Sequence, residues 1–279
     1  MDTITSLNHE FAYFLAKKYP YEPAIARENY IQFTHQYTKN IEEDIEEFRA
    51  QQDSIRNSME ETTKKGIKMV FCNEPDFPYE LYSNRFPVML FIKSKSDLKD
   101  IFNYDKYRML AVVGTRDISE YGKEITKLVT LSVASNKNIH VIVSGLAMGV
   151  DTIAHRTALE NGIRTIAVLP TSLDRIYPAC NNELANTIAN TEGCALVSQF
   201  VPGTEPFANG ILFRNQIIAG LSEDVYVTES KIKGGAIMTA KYAKSIGKNV
   251  YAVPGRITDE RSSGCNDLIK RMNANIYIP

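Results

Sequence analysis

Four short loops in this chain carry residue types that hold anions. The first is Gly114-Thr115-Arg116, directly after the apolar run Ala111-Val112-Val113. Glycine permits an unusual turn, threonine offers a hydroxyl, and arginine brings a forked cation suited to phosphate. The second is Ser144-Gly145-Leu146-Ala147-Met148-Gly149, between the apolar run Val141–Val143 and a helical pattern starting near Val150. Ser144, Gly145 and Gly149 can expose backbone amides at a helix N-terminus, where the dipole favours negative charge. Asp151 would repel a phosphate there and reads as loop architecture, while His155 reads as a packed helix histidine. The third loop leads through Pro202, Gly203, Pro206 and Gly210 to Phe213-Arg214-Asn215, read as opening an apolar helix with Ile217, Ile218 and Leu221. A cation at a helix start opposes the dipole, and a bound anion would remove the conflict. Phe213 offers either a ring to a nucleic-acid base or a side chain packed into the sheet. The fourth is Lys231-Ile232-Lys233-Gly234-Gly235-Ala236, where two glycines precede a helix and two lysines flank them, with Glu229 as a possible anchor.

The elements that must position these loops alternate. Strand patterns fall at 109–113, 139–143, 165–169, 195–197, 225–228 and 249–253, with helical windows near 119–136, 150–161, 182–190, 214–221 and 235–246. That spacing predicts βαβ units and a mostly parallel α/β sheet with helices on both faces. Ligands on such sheets sit beyond the strand carboxyl ends near a topological switch point, where all four loops fall. Further candidate strands lie at 67–71 and 88–92, and 274–279 reads as a last strand or tail.

Residues 1–64 read as a small helical N-terminal domain ahead of an α/β domain at 65–279. Phe11, Phe14 and Leu15 share a helix face, as do Ile41, Ile45, Phe48, Ile55 and Met59. Asn40 with Glu43 has capping-box spacing. The run Glu42-Glu43-Asp44 with Glu46-Glu47 reads as a solvated face at a helix start.

Composition narrows the function classes. An apolar share of 44% supports a sizeable core. No apolar run reaches the roughly 18 residues of a membrane span, and Met1-Asp2-Thr3-Ile4 lacks signal-peptide order, so cytoplasmic residence is expected. Cys72, Cys180, Cys194 and Cys265 are widely spaced and read as buried reduced thiols, with no metal site expected. Net charge is −1, divided as 8 basic and 12 acidic residues in 1–66 against 24 basic and 21 acidic beyond. Any electrostatic site is therefore a local patch.

The ordered set Ser144-Gly145-Leu146-Ala147, Leu173-Asp174 with Tyr177-Pro178, Arg214-Asn215 with Ile217-Ile218-Ala219-Gly220-Leu221, Ala252-Val253-Pro254-Gly255 and Gly264-Cys265-Asn266 resembles the DNA-processing protein A (DprA/Smf) family. The resemblance runs from about Lys65 to Ala274. It implies an extended Rossmann-like fold that binds single-stranded DNA without sequence preference and helps load the RecA recombinase during natural transformation. It also implies a cytoplasmic homodimer with no catalytic residue, cofactor or metal. Carried onto this chain, it assigns Arg116 and Arg214 to the DNA backbone, amides of 144–149 and 234–236 to adjacent phosphates, and Lys233 to a flank. Met148, Gln216, Gln199 and Gly234 depart from the usual family residues, and 207–212 holds no lysine. Fewer cations should flatten the salt dependence of binding. By that resemblance, the winged-helix domain that members often carry at their C-terminus is not expected in this chain. The dimer surface is expected near Met238 and 257–272.

Two other classes fit less well. A nucleoside-monophosphate hydrolase of the lysine-decarboxylase-like group needs a catalytic Glu three residues after a Thr that follows Gly-Gly. Here Tyr242 stands three residues after Thr239. A dinucleotide-dependent oxidoreductase needs G-x-G-x-x-G, which Gly114-Thr115-Arg116-Asp117-Ile118-Ser119 lacks. A pocket for one free nucleotide would show affinity that stops growing at a single nucleotide.

Overall fold

Side-chain alternation along β3 (Arg108–Val113) sets the layers of the molecule. In this computed structural model, which describes residues 3–83, 85–135, 139–207 and 209–279, Met109, Ala111 and Val113 join one apolar cluster. Leu110 and Val112 join another on the opposite face, as the two-residue repeat of a strand requires. The parallel strands β4 (His140–Ser144) and β7 (Asp224–Val227) flank β3, with Ala111 opposite both Val143 and Val225. Beyond β4 lie parallel β5 (Arg164–Val168) and β6 (Ala195–Ser198), then antiparallel β2 (Met89–Lys93) and β1 (Lys68–Phe71). Beyond β7 lie parallel β8 (Asn249–Ala252) and β9 (Asn275–Ile276). The order β1-β2-β6-β5-β4-β3-β7-β8-β9 reverses direction between β3 and β7. This gap is the switch point.

Helices cover both faces. Against Leu110 and Val112 pack Val129 and Val133 of α5 (Glu120–Val133) and Val150, Ala154 and Ala158 of α6 (Val150–Glu160). The other cluster takes Leu184, Ala185 and Ile188 of α7 (Asn182–Asn190), Ile217, Ile218 and Leu221 of α8 (Gly210–Leu221), and Ile237 and Ala240 of α9 (Gly235–Ser245). The short α4 (Leu98–Ile101) and α10 (Ser263–Met272) complete this part.

The N-terminal region forms α1 (Thr3–Lys18), α2 (Pro23–Thr34) and α3 (Glu42–Lys64). Phe11 stacks on Phe33 at 4.0 Å and meets Phe48 edge-on at 5.2 Å. This core is continuous with the sheet, since Phe11, Phe48, Phe91 and Met89 belong to one cluster. The Tyr13 ring lies 6.0 Å from that of Phe91. The buried Arg27 guanidinium donates to the carbonyls of Leu81, Tyr82 and Pro87 at 3.0–3.3 Å, satisfying acceptors that burial would otherwise leave unpaired.

Several expectations change. α3 begins at Glu42 with Ile41 at its cap, because Asn40 belongs to a preceding 3-10 turn and makes no capping bond. α8 begins at Gly210, not Arg214. Cys72, Cys194 and Cys265 are buried, but Cys180 is exposed. Residue 136, in the expected helix 119–136, and Met1 and Asp2 of the leader reading lie outside the described residues. Among the described residues, no helix is long and apolar enough to cross a membrane.

Candidate nucleic-acid interface

The four turns meet at the switch point. A cavity of about 480 Å³ is lined by Gly114, Thr115, Arg116, Ala147, Arg214, Asn215, Lys231, Gly234, Gly235 and Ala236, with Asp117, Asp151 and Thr239. Backbone bonds lock the turns together. Thr115 N–H donates to the Glu229 carbonyl at 2.7 Å, and Val150 N–H donates to the Thr115 carbonyl at 3.1 Å. Glu229 is buried and anchors the start of α5, accepting from Ser119 N–H at 2.8 Å and from the Ser119 hydroxyl. Gly149 has φ +79°, and a Cβ there would overlap the Thr115 carbonyl, so only glycine suits this turn.

The loop at 144–149 differs from its sequence expectation. Its Gly145 and Ala147 amides donate to Asp151 Oδ2 at 3.2 and 3.3 Å, and the Thr152 and Ile153 amides also find backbone acceptors. The Ser144 hydroxyl is buried and donates to the Val112 carbonyl at 2.6 Å. These groups are satisfied within the protein, so Ser144 and Gly145 present no free donor to a ligand. Asp151 substitutes for an anion inside the loop. Burial pushes its carboxyl above the ordinary range, and Arg214 nearby pulls the other way.

Arg214 is the second departure. It is 4% exposed. Its guanidinium donates to the carbonyls of Gly145 and of Val168, the latter at 3.2 Å, and to Asn215 Oδ1 at 3.0 Å. Asp151 lies 3.9 Å away. Because α8 begins at Gly210, Arg214 lies past the first turn and the expected clash of a cation with a helix start does not arise; carbonyl oxygens and a carboxylate hold its charge instead. Arg214 is a strut joining α8 to β5 and to the 144–149 loop, with one edge lining the cavity.

Two groups remain open to a ligand. Arg116 is exposed and has no ion pair among the described residues. The N-terminal amides of Gly235 and Ala236 in α9 have no intrahelical acceptor, and both residues line the cavity. Lys231 adds a cation shared with Glu260 at 3.0 Å, and Asp117 is balanced by Arg261 at 3.5 Å. Exposed Lys233 lies beside the cavity rather than in its lining. Phe213 lies outside the lining too, half-buried with its ring 6.2 Å from that of Tyr21. His155 is fully buried, its Nδ1 is 2.7 Å from Thr165 Oγ1, and burial with the nearby Arg214 charge pushes its pKa down to about 3.

A small adjoining cleft is lined by Arg116, Met148, Pro170, Tyr177, Pro178 and Arg214. Tyr177 and Met148 are both about half exposed there. Sequence reading gave neither a contact role, because nothing in the spacing of 170–178 places that loop beside Arg116.

The sequence profile of the DNA recombination-mediator protein A family matches residues 68–278. The chain belongs to that family. Among members of this recombination-mediator family, the DNA processing protein DprA of Streptococcus pneumoniae is 42% identical over 184 residues, covering 66% of this chain and 61% of that protein. Protein Smf of Synechocystis is 36% identical over 212 residues, covering 76% of this chain and 52% of that protein. The match thus spans between half and two thirds of these relatives. The solved S. pneumoniae DprA aligns with TM-score 0.71 and 34% identity, covering 82% of this chain and 77% of that one. DNA processing protein A from Helicobacter pylori, described for its single-stranded DNA binding mode, aligns with TM-score 0.64 and 29% identity over 76% of this chain and 91% of that one. The shared fold is the extended Rossmann-like α/β architecture.

Proposed function

We propose that this recombination-mediator family member binds single-stranded DNA without sequence preference and leaves the strand chemically unchanged. The observation that carries the reading is the cavity at the switch point that Arg116, Gly235 and Ala236 line together. A helix N-terminus and a free guanidinium suit a phosphate and take no account of base identity. Arg116 contacts one phosphate, Gly235 and Ala236 hold a neighbour, Lys231 and Lys233 flank them, and Arg214 with Asn215 holds the cradle in shape. The resemblance to the H. pylori protein supports this ligand. Family membership supports RecA loading onto incoming DNA in the cytoplasm and a homodimeric state. Exposed Met238 and Ile257 suit a second copy of the chain.

Titration with oligothymidylates of increasing length, with and without RecA, tests the reading. Affinity is expected to rise with length over the roughly 4–16 nucleotides typical of single-strand binders, and to exceed that for duplex of equal length. Affinity that saturates at one nucleotide would assign a nucleotide pocket instead. Unchanged RecA filament formation would remove the loading role.

A further inference from the structure

An aromatic cluster outside the cavity joins the N-terminal helical region to the segment 200–213. Tyr21 stands in the turn between α1 and α2, with its ring 4.8 Å from Phe207, 5.5 Å from Phe200 and 6.2 Å from Phe213. Phe200 is buried and forms the floor, Phe207 is 52% exposed, and Tyr21 and Phe213 are half-buried. The turn is held from two sides. Tyr21 hydroxyl donates to the Glu205 carbonyl at 2.6 Å, and Gln199 Nε2 donates to the Pro20 carbonyl at 3.1 Å.

The cluster is continuous with the cradle. Gly210, at the start of α8, lies so close to the Pro170 carbonyl that a Cβ would press into it, with Phe200 beside it. Pro170, Tyr177 and Arg116 line the cleft that adjoins the cradle. Arg175, two residues before Tyr177, reaches Glu205 at 3.4 Å, so a phosphate passing here meets a cation and not an isolated carboxylate. Resting on the single-strand reading above, we propose that Tyr21, Phe207 and Phe213 form a base-stacking platform that extends the phosphate cradle onto the N-terminal helical region. Ring faces accept any base, so the platform adds affinity without sequence preference. The Arg175–Glu205 pair offsets the carboxylate at the rim, and the path through Phe200, Gly210 and Pro170 leads to the cleft that Arg116 lines, which favours a nucleic-acid strand over a protein partner.

The chain contains no tryptophan, so Phe207→Trp in the 279-residue chain installs a single indole reporter. A long oligothymidylate is expected to quench it, and an abasic strand of equal length to bind without quenching. Phe207→Ala, on an exposed loop, should lower oligothymidylate affinity on the order of tenfold and so narrow its advantage over the abasic strand. Tyr21→Ser should do the same, with thermal melting to separate a fold defect from a binding defect. Oligothymidylate binding with an unquenched indole and unaltered affinity in both variants overturns the platform alone. Failure of the native protein to bind either strand overturns the cradle reading itself. Quenching by RecA without DNA would assign the surface to a protein and overturn the proposal.

Discussion

Arg116 is exposed and free of any ion pair among the described residues, whereas Arg214 is buried among carbonyl oxygens beside Asp151. Removing them should have different consequences. Arg116→Ala is expected to leave thermal stability unchanged, weaken oligonucleotide binding, and reduce the slope of log affinity against log salt by about 0.7, the value for one lost single-strand phosphate contact. Anisotropy titrations across a salt series check this, and an unaltered slope would exclude phosphate contact at Arg116. Arg214→Ala removes the cation beside buried Asp151 and the donor to the Gly145 and Val168 carbonyls, so it should lower stability and binding together. His155 gives a pH signature. Folding lowers its pKa from 6.5 to about 3, so the unfolded chain takes up the proton first. Its contribution is whole above pH 6.5 and is lost as pH falls from there toward 3, by about 1.4 kcal/mol per unit. Urea unfolding at a series of pH values should show a shallower acid decline for His155→Gln; equal declines would place the pH dependence elsewhere. The sequence pointed to Arg116 and Arg214, and the fold brings both to the lining of one cavity at the switch point. The sequence could not tell a ligand contact from a strut, because that depends on which carbonyls surround each guanidinium.

At the level of elements, two of the four loops stand in contrast, one closed and one open. In the 144–149 loop the Gly145 and Ala147 amides are spent on Asp151, and the Val150 amide that follows goes to the Thr115 carbonyl. The α9 start keeps its first amides available. Two glycines separate these roles. Gly149→Ala places a Cβ against the Thr115 carbonyl at φ +79°, a conformation costing on the order of 1–3 kcal/mol for other residues. A Cβ at Gly235 meets nothing within 4 Å and extends into open space at the cavity. Gly235→Ala is therefore expected to keep or raise the melting temperature and weaken DNA binding, whereas Gly149→Ala lowers the melting temperature. Equal melting losses in both variants would refute this division. Periodicity located these helices well, with α7 matched at both ends and α6 and α9 within one residue. It missed the first turn of α8, because Gly210 and Asn209 resemble loop residues and the turn is held by contact with Pro170 and Phe200.

Across the whole molecule, the helical N-terminal region and the sheet share one apolar cluster, and Arg27 ties α2 to carbonyls of the segment 81–87. We propose that 1–64 and 65–279 are distinct as units of sequence but melt together. Calorimetry should give a single transition, and removal of 1–64 should expose Phe91 and Val70 to hydrophobic dyes. Two separate transitions would show that the N-terminal helices fold independently. Local patterns alone determined the alternating elements, the position of each loop past a strand end, and the family, because apolar periodicity and short glycine-bearing motifs are written along the chain. Only the tertiary structure decided which loop donors stay free, that Arg214 faces inward, and that Tyr21 meets Phe207 across 185 intervening positions. Those outcomes depend on packing between distant segments, where burial and hydrogen-bond satisfaction compete for the same groups.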